Sequence, residues 1–344
     1  MAYSVHFEPV GLEIQVEEGE TVLQAAFRQG ISLMHGCKEG QCSSCKSILL
    51  DGEVDLLRYS TFALSDDDRE MGYTLLCRAE PLEDLTVELL NWDEDTLLMK
   101  APVAVHQSRV EAVERLTDDM RLLALTLADE MPYGAGQYVD IRVPGTADSV
   151  RSFSMCSTPN GDLRRLEFMI RVFPDGRFSG QLDSGGIRPG DALEIIGPYG
   201  HFQLRNKDSD AVFIGGGSGM SPLWSMLHDM AERGVRRRVT FFYGARRRRD
   251  LFYLDRLEAL GSRLSDFEFV PALSEPEDAD RWEGETGFVT DVVSRRLDRD
   301  QLRGEVEAYL CGPPPMIDAA FPVLFRKGIP GTRIYYDKFT AATS

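Results

Sequence analysis

The stretch HGCKEGQCSSC, residues 35–45, decides the fold of the first third of this 344-residue chain. Its cysteines are spaced C-x4-C-x2-C and a fourth follows after 31 intervening residues: Cys37, Cys42, Cys45 and Cys77. For three thiols to converge from so short a segment, the backbone must fold back and turn its N–H groups inward. Gly36 and Gly40 are expected to permit this because glycine adopts positive φ without steric cost. The pattern predicts a tight loop of sulfur ligands, completed by a returning segment.

This spacing is typical of the four thiolate ligands of a plant-type [2Fe–2S] cluster, a carrier of single electrons. Zinc is one alternative, but four-cysteine zinc sites normally pair two C-x2-C knuckles, and Cys77 has no cysteine partner at that spacing. Unligated cysteines are another. A structural disulfide is disfavoured without a signal peptide, because the cytosol keeps thiols reduced. We therefore predict a [2Fe–2S] cluster held by the four cysteines.

Length and composition place further bounds on the chain. Its length predicts two or three domains, and a hydrophobic content of 43 % is sufficient for globular cores. No apolar run reaches the ~20 residues of a membrane span. The N-terminal residues 1–8 lack the basic and apolar regions of a signal peptide. We expect a soluble cytoplasmic protein that is a monomer on its own.

The net charge of −18 is unevenly distributed. Residues 1–100 hold 20 Asp and Glu against 7 Lys and Arg, a net charge of −13, and the other 244 residues have a net charge of −5. Nucleic-acid binding is disfavoured because it needs a basic face. The acidity either keeps the surface soluble or forms a docking face that steers a basic partner.

The first hundred residues are typical of a small α+β domain. Residues 4–8 and 11–17 alternate apolar and polar side chains and predict a β-hairpin. Residues 21–29 carry apolar side chains at helical spacing and stop at Gly30. Strand, strand, helix and cysteine loop follow the order of a β-grasp ferredoxin-type domain, with a boundary near residue 100.

The rest of the chain changes pattern twice. Short strands with Gly and Pro turns predict an antiparallel β-barrel: Leu122–Leu127, Gln137–Val143, Leu166–Val172 and Ala192–Gly197. Alternating strands and helices then predict a doubly wound parallel sheet: Ala211–Ile214, the helix Leu223–Arg233, Val239–Tyr243, Phe267–Val270 and Ala308–Leu310. The predicted domains are residues 1–100, 101–207 and 208–344.

A glycine-rich turn follows the first strand of the predicted parallel sheet and opens a helix: Gly215, Gly216, Gly217, Ser218, Gly219, Met220, Ser221 and Pro222. Bare glycines let a backbone approach a pyrophosphate, and a helix N-terminus offers N–H groups and positive dipole charge. The pattern is G-x-G-x-x-P rather than the dinucleotide pattern G-x-G-x-x-G. Phosphate binding and an ordinary tight turn both remain open from these residues alone.

Together the three segments resemble the ferredoxin–NADP reductase superfamily, and within it the fused reductases with a ferredoxin, an FAD barrel and an NAD(P) domain. The resemblance covers essentially the whole chain. Besides the cysteines and the glycine-rich turn, it rests on four motifs: Arg151-Ser152-Phe153-Ser154, Gly176-Arg177-Phe178-Ser179, Gly197-Pro198-Tyr199-Gly200 and Cys311-Gly312-Pro313-Pro314-Pro315-Met316.

The resemblance implies roles for residues of the barrel. Arg151 would pair with the flavin pyrophosphate, a bidentate task suited to guanidinium. Phe153 would pack on the flavin, and Ser154 would lie near flavin N5. Two further segments are implied to line the adenine side and the phosphates, respectively: Ile170-Arg171-Val172 and the turn Gly176-Arg177-Phe178-Ser179.

The resemblance also implies a nicotinamide site at the carboxyl edge of the parallel sheet. Cys311 would lie beside the nicotinamide without acting as a nucleophile, and its neighbours Gly312, Pro313 and Met316 would complete the site. In the tail, Asp337 replaces a glutamate common in the family, and Phe339 would cover the flavin ring. The implied catalytic residues are Ser154, Cys311 and Phe339.

These implications describe an enzyme. NADH would reduce FAD, and single electrons would pass through the [2Fe–2S] cluster to the hydroxylase of a multicomponent diiron monooxygenase of the propane, methane or phenol type. A reductase of a Rieske aromatic-ring dioxygenase and a non-enzymatic iron–sulfur redox sensor are the alternatives. NADH is favoured over NADPH, although arginines 246–249 could bind a 2′-phosphate. No nucleic acid or membrane is expected as a partner.

Overall fold

The computed structural model describes residues 2–147, 149–173, 175–205, 207, 209–298, 302 and 304–340. The chain divides into two compact units, each discontinuous in sequence: Met1–Ala104 with Gly197–His201, and Val105–Ile196 with Phe202–Ser344. Within the described residues, no helix combines the length and apolar character needed to cross a membrane. The boundaries of the three predicted domains remain a prediction.

The first unit contains a five-stranded sheet, a two-stranded sheet and two helices. The elements are β1 (Ala2–Glu8), β2 (Leu12–Glu17), α1 (Val22–Arg28), β3 (Lys46–Asp51), β4 (Val54–Leu56), α2 (Asp66–Glu70), β5 (Tyr73–Leu75), β6 (Ala79–Pro81) and β7 (Leu85–Leu89). The strand orders are β2-β1-β7-β3-β5 and β4-β6. β1 pairs antiparallel with β2 and parallel with β7. The predicted β-grasp ferredoxin domain, with its hairpin and helix, is confirmed.

Local sequence signals explain where α1 begins and ends. Thr21 accepts a hydrogen bond from the backbone N–H of Gln24, whose side chain accepts one in return from the backbone of Thr21. Gly30 follows the helix with φ of +77°, a value that favours glycine. The buried face of the helix consists of Val22, Leu23, Ala25, Ala26 and Phe27. The cysteine loop therefore starts from a helix with defined ends.

The second unit begins with the predicted antiparallel barrel. Its elements are β8 (Ala104–Arg115), β9 (Met120–Leu127), β10 (Tyr138–Arg142), β11 (Val150–Ser154), β12 (Arg165–Arg171), α3 (Ser179–Ser184) and β13 (Ala192–Tyr199), in the strand order β11-β10-β13-β8-β9-β12. The first residue of β8 and the last three of β13 are assigned to the first unit. The backbone N–H of Cys156, just after β11, donates to Glu167 O on β12 at 2.8 Å. The two edge strands therefore meet, and the sheet curls into a barrel.

The second unit continues with a six-stranded parallel sheet. Its elements are β14 (Ala211–Gly216), α4 (Met220–Arg233), β15 (Arg238–Ala245), α5 (Leu254–Gly261), β16 (Asp266–Leu273), β17 (Glu285–Thr286), α6 (Val289–Arg296), β18 (Glu307–Gly312), α7 (Pro314–Arg326) and β19 (Ile334–Lys338). The strand order is β17-β16-β15-β14-β18-β19. The chain moves outward from β14 in one direction and later returns to its other side. The order therefore switches direction between β14 and β18, where such folds bind ligands.

Helices cover both faces of this sheet, as the doubly wound prediction requires. Phe213 on β14 packs in a core with Leu223 and Met226 of α4. Its neighbours Val212 and Ile214 face a second core, which includes residues of α6 and α7. Successive side chains of a strand point to opposite faces, so one uniformly apolar strand supplies both cores.

Candidate functional site

Backbone N–H groups of the cysteine loop point at sulfur, as the sequence predicted. The N–H of Gln41 lies 3.2 Å and that of Glu39 3.4 Å from Cys37 Sγ. The N–H of Cys37 lies 3.4 Å from Cys42 Sγ. Such contacts stabilise the anionic form of a thiol, the form that ligates metal. The backbone of the loop would therefore stabilise thiolate ligands.

The four cysteine thiols meet in two pairs. The thiols of Cys42 and Cys37 are close enough to interact, as are those of Cys45 and Cys77. The hydrogen bond from Cys45 lowers the pKa of Cys77 to about 7, although burial opposes it. Among the described residues, no group of three or more His, Cys, Asp or Glu converges on a single ion. An all-cysteine set is the ligand chemistry of a [2Fe–2S] cluster.

The two glycines of the loop serve different purposes, and one prediction needs correction. Gly40 has φ of +68°, as expected, but Gly36 does not lie in the positive-φ region, which Lys38 occupies instead with φ of +58°. A Cβ atom at Gly36 would lie 3.1 Å from Cys42 Sγ and 3.0 Å from Ser44 Oγ. Gly36 is therefore required for close approach to the ligand sulfur, not for its backbone angle.

A segment distant in sequence braces the cysteine loop within the first unit. His35 Nδ1 and His201 Nε2 both donate to Leu33 O, at 2.8 and 2.9 Å. The ring of Tyr199 packs edge-on to Phe27. The ammonium group of Lys38 lies 3.8 Å from the centroid of the Tyr199 ring. Residues 197–201 therefore belong to the first unit, which we call the cluster-binding unit. Sequence periodicity did not predict the contacts of this segment with the cysteine loop.

In the second unit, the glycine-rich turn and the Cys311 motif meet at the carboxyl edge of the parallel sheet. A Cβ atom at Gly219 would lie 2.0 Å from Cys311 O, and one at Gly216 would lie 2.9 Å from Met316 Sδ. Gly217, with φ of +56°, would place its Cβ atom in open space. Tyr243, at the end of β15, donates from its hydroxyl to Gly217 O at 2.9 Å. The arrangement leaves the turn open towards a ligand while its base is fixed, which fits a dinucleotide pyrophosphate.

Not every residue of the predicted turn can offer its side chain to a nucleotide. Met220 and Pro222 are buried in the first turn of α4. The buried Ser221 hydroxyl donates to Ser154 O at 2.7 Å and lies 3.3 Å from the N–H of Met169. Ser221 therefore connects α4 to two barrel strands. The pyrophosphate-binding role remains a prediction for the backbone of the turn, while the Ser221 side chain has a structural task.

The barrel places the RSFS motif on β11. Arg151 is half-buried, and its Nη1 donates to Val150 O at 2.8 Å and to Ser149 Oγ at 3.1 Å. Ser152 Oγ donates to the buried Asp140 at 2.5 Å. The half-buried ring of Phe153 packs 5.1 Å from that of Phe178. These two bonds orient the guanidinium, and its flavin-phosphate role remains a prediction.

Two other predicted flavin segments are only partly available. Ile170 is 1 % exposed and packs in the barrel core, so its side chain cannot line the adenine side. Arg171, half-exposed, binds Asp119 at 3.0 Å, and Val172 is half-buried. The Ser179 hydroxyl lies 3.1 Å from the N–H of Phe173 and closes the Gly176 turn. Phe178 is buried, so its side chain cannot reach a phosphate. Arg177 is exposed, and its guanidinium is the better placed.

Three residues from different elements meet between the barrel and the parallel sheet. Asp337 on β19 lies opposite Cys311 on β18, and Ser154 Oγ of β11 donates to Asp337 Oδ2 at 3.4 Å. Burial raises the pKa of Asp337 to about 6, which the bond from Ser154 opposes. Burial, and then the Asp337 carboxylate, raise the pKa of the Cys311 thiol well above its usual range. Cys311 therefore stays a neutral thiol, consistent with a role other than nucleophile.

Asp337 is the candidate site residue that the sequence indicated least. Its place in the tail matched a family glutamate, but no role followed from that match. The backbone N–H of Phe339 donates to Gly312 O at 2.9 Å, and its ring packs against the core that contains Cys311. The tail is thereby anchored at the predicted nicotinamide site. Covering of a flavin by Phe339 stays a prediction.

The chain matches three protein families in succession. Residues 5–82 match the 2Fe-2S iron-sulfur cluster binding domain, residues 107–204 the oxidoreductase FAD-binding domain and residues 213–321 the oxidoreductase NAD-binding domain. These assignments account for all three cofactors: a [2Fe–2S] cluster, FAD and NADH. The paired thiols, the oriented Arg151 and the open glycine turn fit them.

Three known proteins are similar over their whole length. The reductase component of propane 2-monooxygenase from Rhodococcus jostii RHA1 is 47 % identical, over 98 % of this chain and 92 % of its own. The reductase component of phenol 2-monooxygenase from Pseudomonas sp. CF600 is 40 % identical, over 99 % and 96 %. The crystal structure of the Amycolatopsis cytochrome P450 reductase GcoB is 32 % identical, with a TM-score of 0.86 over 99 % of this chain and 100 % of its own. The chain therefore belongs to the family of monooxygenase reductase components, NAD-dependent oxidoreductases that combine a [2Fe–2S] ferredoxin domain with FAD- and NAD-binding domains.

Proposed function

We propose that this chain oxidises NADH and delivers single electrons to the diiron hydroxylase of a multicomponent monooxygenase of the propane or phenol type. The observation that carries the proposal is the full-length likeness to such reductases, with the cluster ligands and the Ser154, Cys311 and Asp337 site in one chain. A cytoplasmic location and a monomeric state remain predictions. When bound, FAD accepts electrons in pairs from NADH and releases them singly, and the cluster carries one at a time.

The residues of the chain supply orientation and charge. The backbone of the turn at residues 215–219 would hold the pyrophosphate of NADH, and Arg151 that of FAD. The neutral Cys311 thiol would pack against the nicotinamide without reacting with it. Above its pKa, Asp337 adds a negative charge beside the ring, which favours the positive charge that the nicotinamide acquires as it is oxidised. No acid–base pair is required for this transfer.

The choice between NADH and NADPH depends on the arginines after β15. Arg247 is ion-paired with Glu277, and its backbone N–H donates to Asp250 at 3.0 Å. Arg246 and Arg249 are exposed. The Asp250 carboxylate opposes a 2′-phosphate nearby, so we expect a higher kcat/KM for NADH. A higher kcat/KM for NADPH would overturn this preference.

The proposal is tested by reconstitution. The purified chain, NADH and the hydroxylase of Rhodococcus propane 2-monooxygenase, with its remaining components, should couple NADH oxidation to hydroxylation of propane. A Rieske aromatic dioxygenase supplied in place of the hydroxylase serves as the matched comparison. Faster reduction of the Rieske protein would contradict the proposal, as would a chain that cannot reduce either acceptor.

A further inference from the structure

An aromatic side chain stands out from the surface of the cluster-binding unit. Phe62 is 95 % exposed, the highest value among the large apolar side chains of the described residues. The next are Phe288 at 70 % and Leu98 at 69 %. Isolated exposed apolar residues are common, but a nearly fully exposed phenylalanine is unusual in a stable turn. Its position, rather than its exposure alone, indicates a function.

Hydrogen bonds and buried neighbouring residues hold the turn that carries Phe62. The N–H groups of Ala63 and Leu64 donate to Ser60 O at 2.9 and 3.2 Å. Ala63 is 2 % exposed and Leu64 is fully buried. The N–H of Phe62 itself donates to Ser60 Oγ at 3.2 Å. Its neighbours are therefore anchored in the unit, and the ring is held outward by a rigid turn.

The same turn is hydrogen-bonded to the cysteine loop on both sides of Cys42. The N–H of Ser60 donates to Gly40 O at 2.9 Å. Ser43 Oγ donates to Ala63 O at 3.2 Å. These bonds tie the turn that carries the exposed ring to the part of the loop that holds the half-buried Cys42. An electron acceptor that approached the cluster at Cys42 would meet this turn.

Acidic side chains come soon after Phe62 in the sequence. Asp66, Asp67 and Glu70 of α2 are exposed, as is Glu39 of the cysteine loop. Asp68 of α2 is ion-paired with Lys46 at 2.7 Å. The positive groups of the same segments are Arg58 and Arg69, both exposed, and Lys38, which lies over Tyr199. α2 alone carries a net charge of −3.

We propose that Phe62 is the apolar anchor by which this chain docks its electron acceptor, with the acidic residues of α2 as the charged rim. The inference rests on the proposed function and adds the surface that serves it. The occupant is the hydroxylase component, which would need an apolar pocket for the ring and basic side chains opposite the acidic residues. An aromatic anchor inside a charged rim is the usual anatomy of a binding hot spot. A second copy of the chain is the poorer occupant, because two surfaces with an excess of negative charge repel each other.

The test compares Phe62→Ala with Phe288→Ala in the holoprotein. Phe288 is a similarly exposed phenylalanine in the other unit, so its substitution controls for loss of an exposed ring. Steady-state reduction of the propane monooxygenase hydroxylase is measured against hydroxylase concentration. We expect Phe62→Ala to raise KM for the hydroxylase by about tenfold or more, with Phe288→Ala unchanged. Phe62→Trp, which keeps a ring, should restore most of the affinity.

A second arm tests the rim. The double variant Asp66→Asn with Asp67→Asn should raise KM at low ionic strength, and the difference should shrink at high salt. The reduced-cluster EPR signal with NADH alone reports whether each variant still delivers electrons to the cluster.

The outcomes separate the two claims. A wild-type chain that cannot reduce the hydroxylase would refute the proposed function. Reduction by the wild type with equal KM values for Phe62→Ala and Phe288→Ala would refute the docking surface alone. Loss of the EPR signal in Phe62→Ala would overturn the docking role and assign the ring to cluster stability. A wild-type dimer that Phe62→Ala converts to a monomer would overturn it in favour of self-association.

Discussion

At the scale of single residues, Asp337 joins the barrel to the predicted nicotinamide site. Its pKa is raised to about 6 by burial, so it is protonated below that pH and negatively charged above it. Because a negative charge favours oxidation of NADH, we expect kcat/KM for NADH to rise with pH through about 6. Asp337→Asn should lower kcat/KM at pH 8 by about tenfold and remove the inflection.

The measurement is the pH profile of NADH-to-ferricyanide activity. Asp318→Asn, which removes an exposed carboxylate paired with Lys338, serves as the matched control. An inflection near pH 6 that persists in Asp337→Asn would show that another group titrates.

Cys42 tests the electron path at the same scale. Cys42→Ser replaces a predicted ligand by a hydroxyl, a poor substitute for thiolate. Reduction of the hydroxylase should fall to background, whereas NADH-to-ferricyanide activity through the flavin should survive. Both are measured on one preparation, with Cys156→Ser as a control at a buried cysteine outside the ligand set. Equal loss of both activities in Cys42→Ser would mean that the cluster is not the exit point.

At the scale of elements, the cysteine loop requires a glycine at position 40 for two reasons. Gly40 has φ of +68°, and a Cβ atom there would lie 2.8 Å from Tyr59 Cβ and 3.1 Å from Tyr59 Cα. Gly11 has a similar φ of +65° but open space around it. Gly11→Ala should therefore cost about 1–2 kcal/mol for its backbone angle. Gly40→Ala should cost about 1–3 kcal/mol more because the backbone must move.

The two alanine variants are compared by thermal unfolding and by iron and sulfide content per chain. Gly40→Ala should lose cluster as well as stability, and Gly11→Ala should keep its cluster. Equal behaviour of the two would show that the contact with Tyr59 is unimportant.

Hydrophobic periodicity predicted the helices and strands that have a regular pattern of buried side chains. The hairpin, α1 and four strands of the parallel sheet (β14, β15, β16 and β18) have regular apolar patterns, so their positions followed from sequence alone, whereas β17 and β19 were not predicted. β8 was not predicted, because its twelve residues are largely exposed and contain a register shift between Val110 and Ala112. α7 starts with prolines, which the first turn of a helix tolerates, but its interior Pro322 argues against a helix, and packing of the buried face outweighs that cost.

The candidate site was predictable where a residue type defines the chemistry. Cysteine ligands and glycines at a strand–helix turn fall in this class. Ile170 and Ser221 were assigned to cofactors by motif, but the side chain of Ile170 is in the barrel core and that of Ser221 bridges α4 to the barrel. The pairing of Asp337 with Ser154, 183 residues apart, depends on tertiary structure that spacing cannot encode.

At the scale of the whole molecule, the cluster-binding unit is not a continuous stretch of chain. It includes Gly197–His201, and His201 shares Leu33 O with His35 beside the cysteine loop. A fragment of residues 1–104 lacks this segment. We expect the fragment to lose its visible cluster absorption in air faster than the full chain. His201→Ala in the full chain should show an intermediate loss, and a fragment as durable as the full chain would contradict the bracing role.

The central claim is that NADH reduces both cofactors of one chain in sequence. Its most direct test is an anaerobic titration of the purified protein with NADH, followed by visible absorption and by EPR of the reduced cluster. Since FAD takes two electrons and the cluster one, full reduction should need about 1.5 equivalents of NADH, with both absorptions bleached and a reduced-cluster signal. Bleaching of the flavin alone, or a colourless protein that contains zinc, would contradict the account.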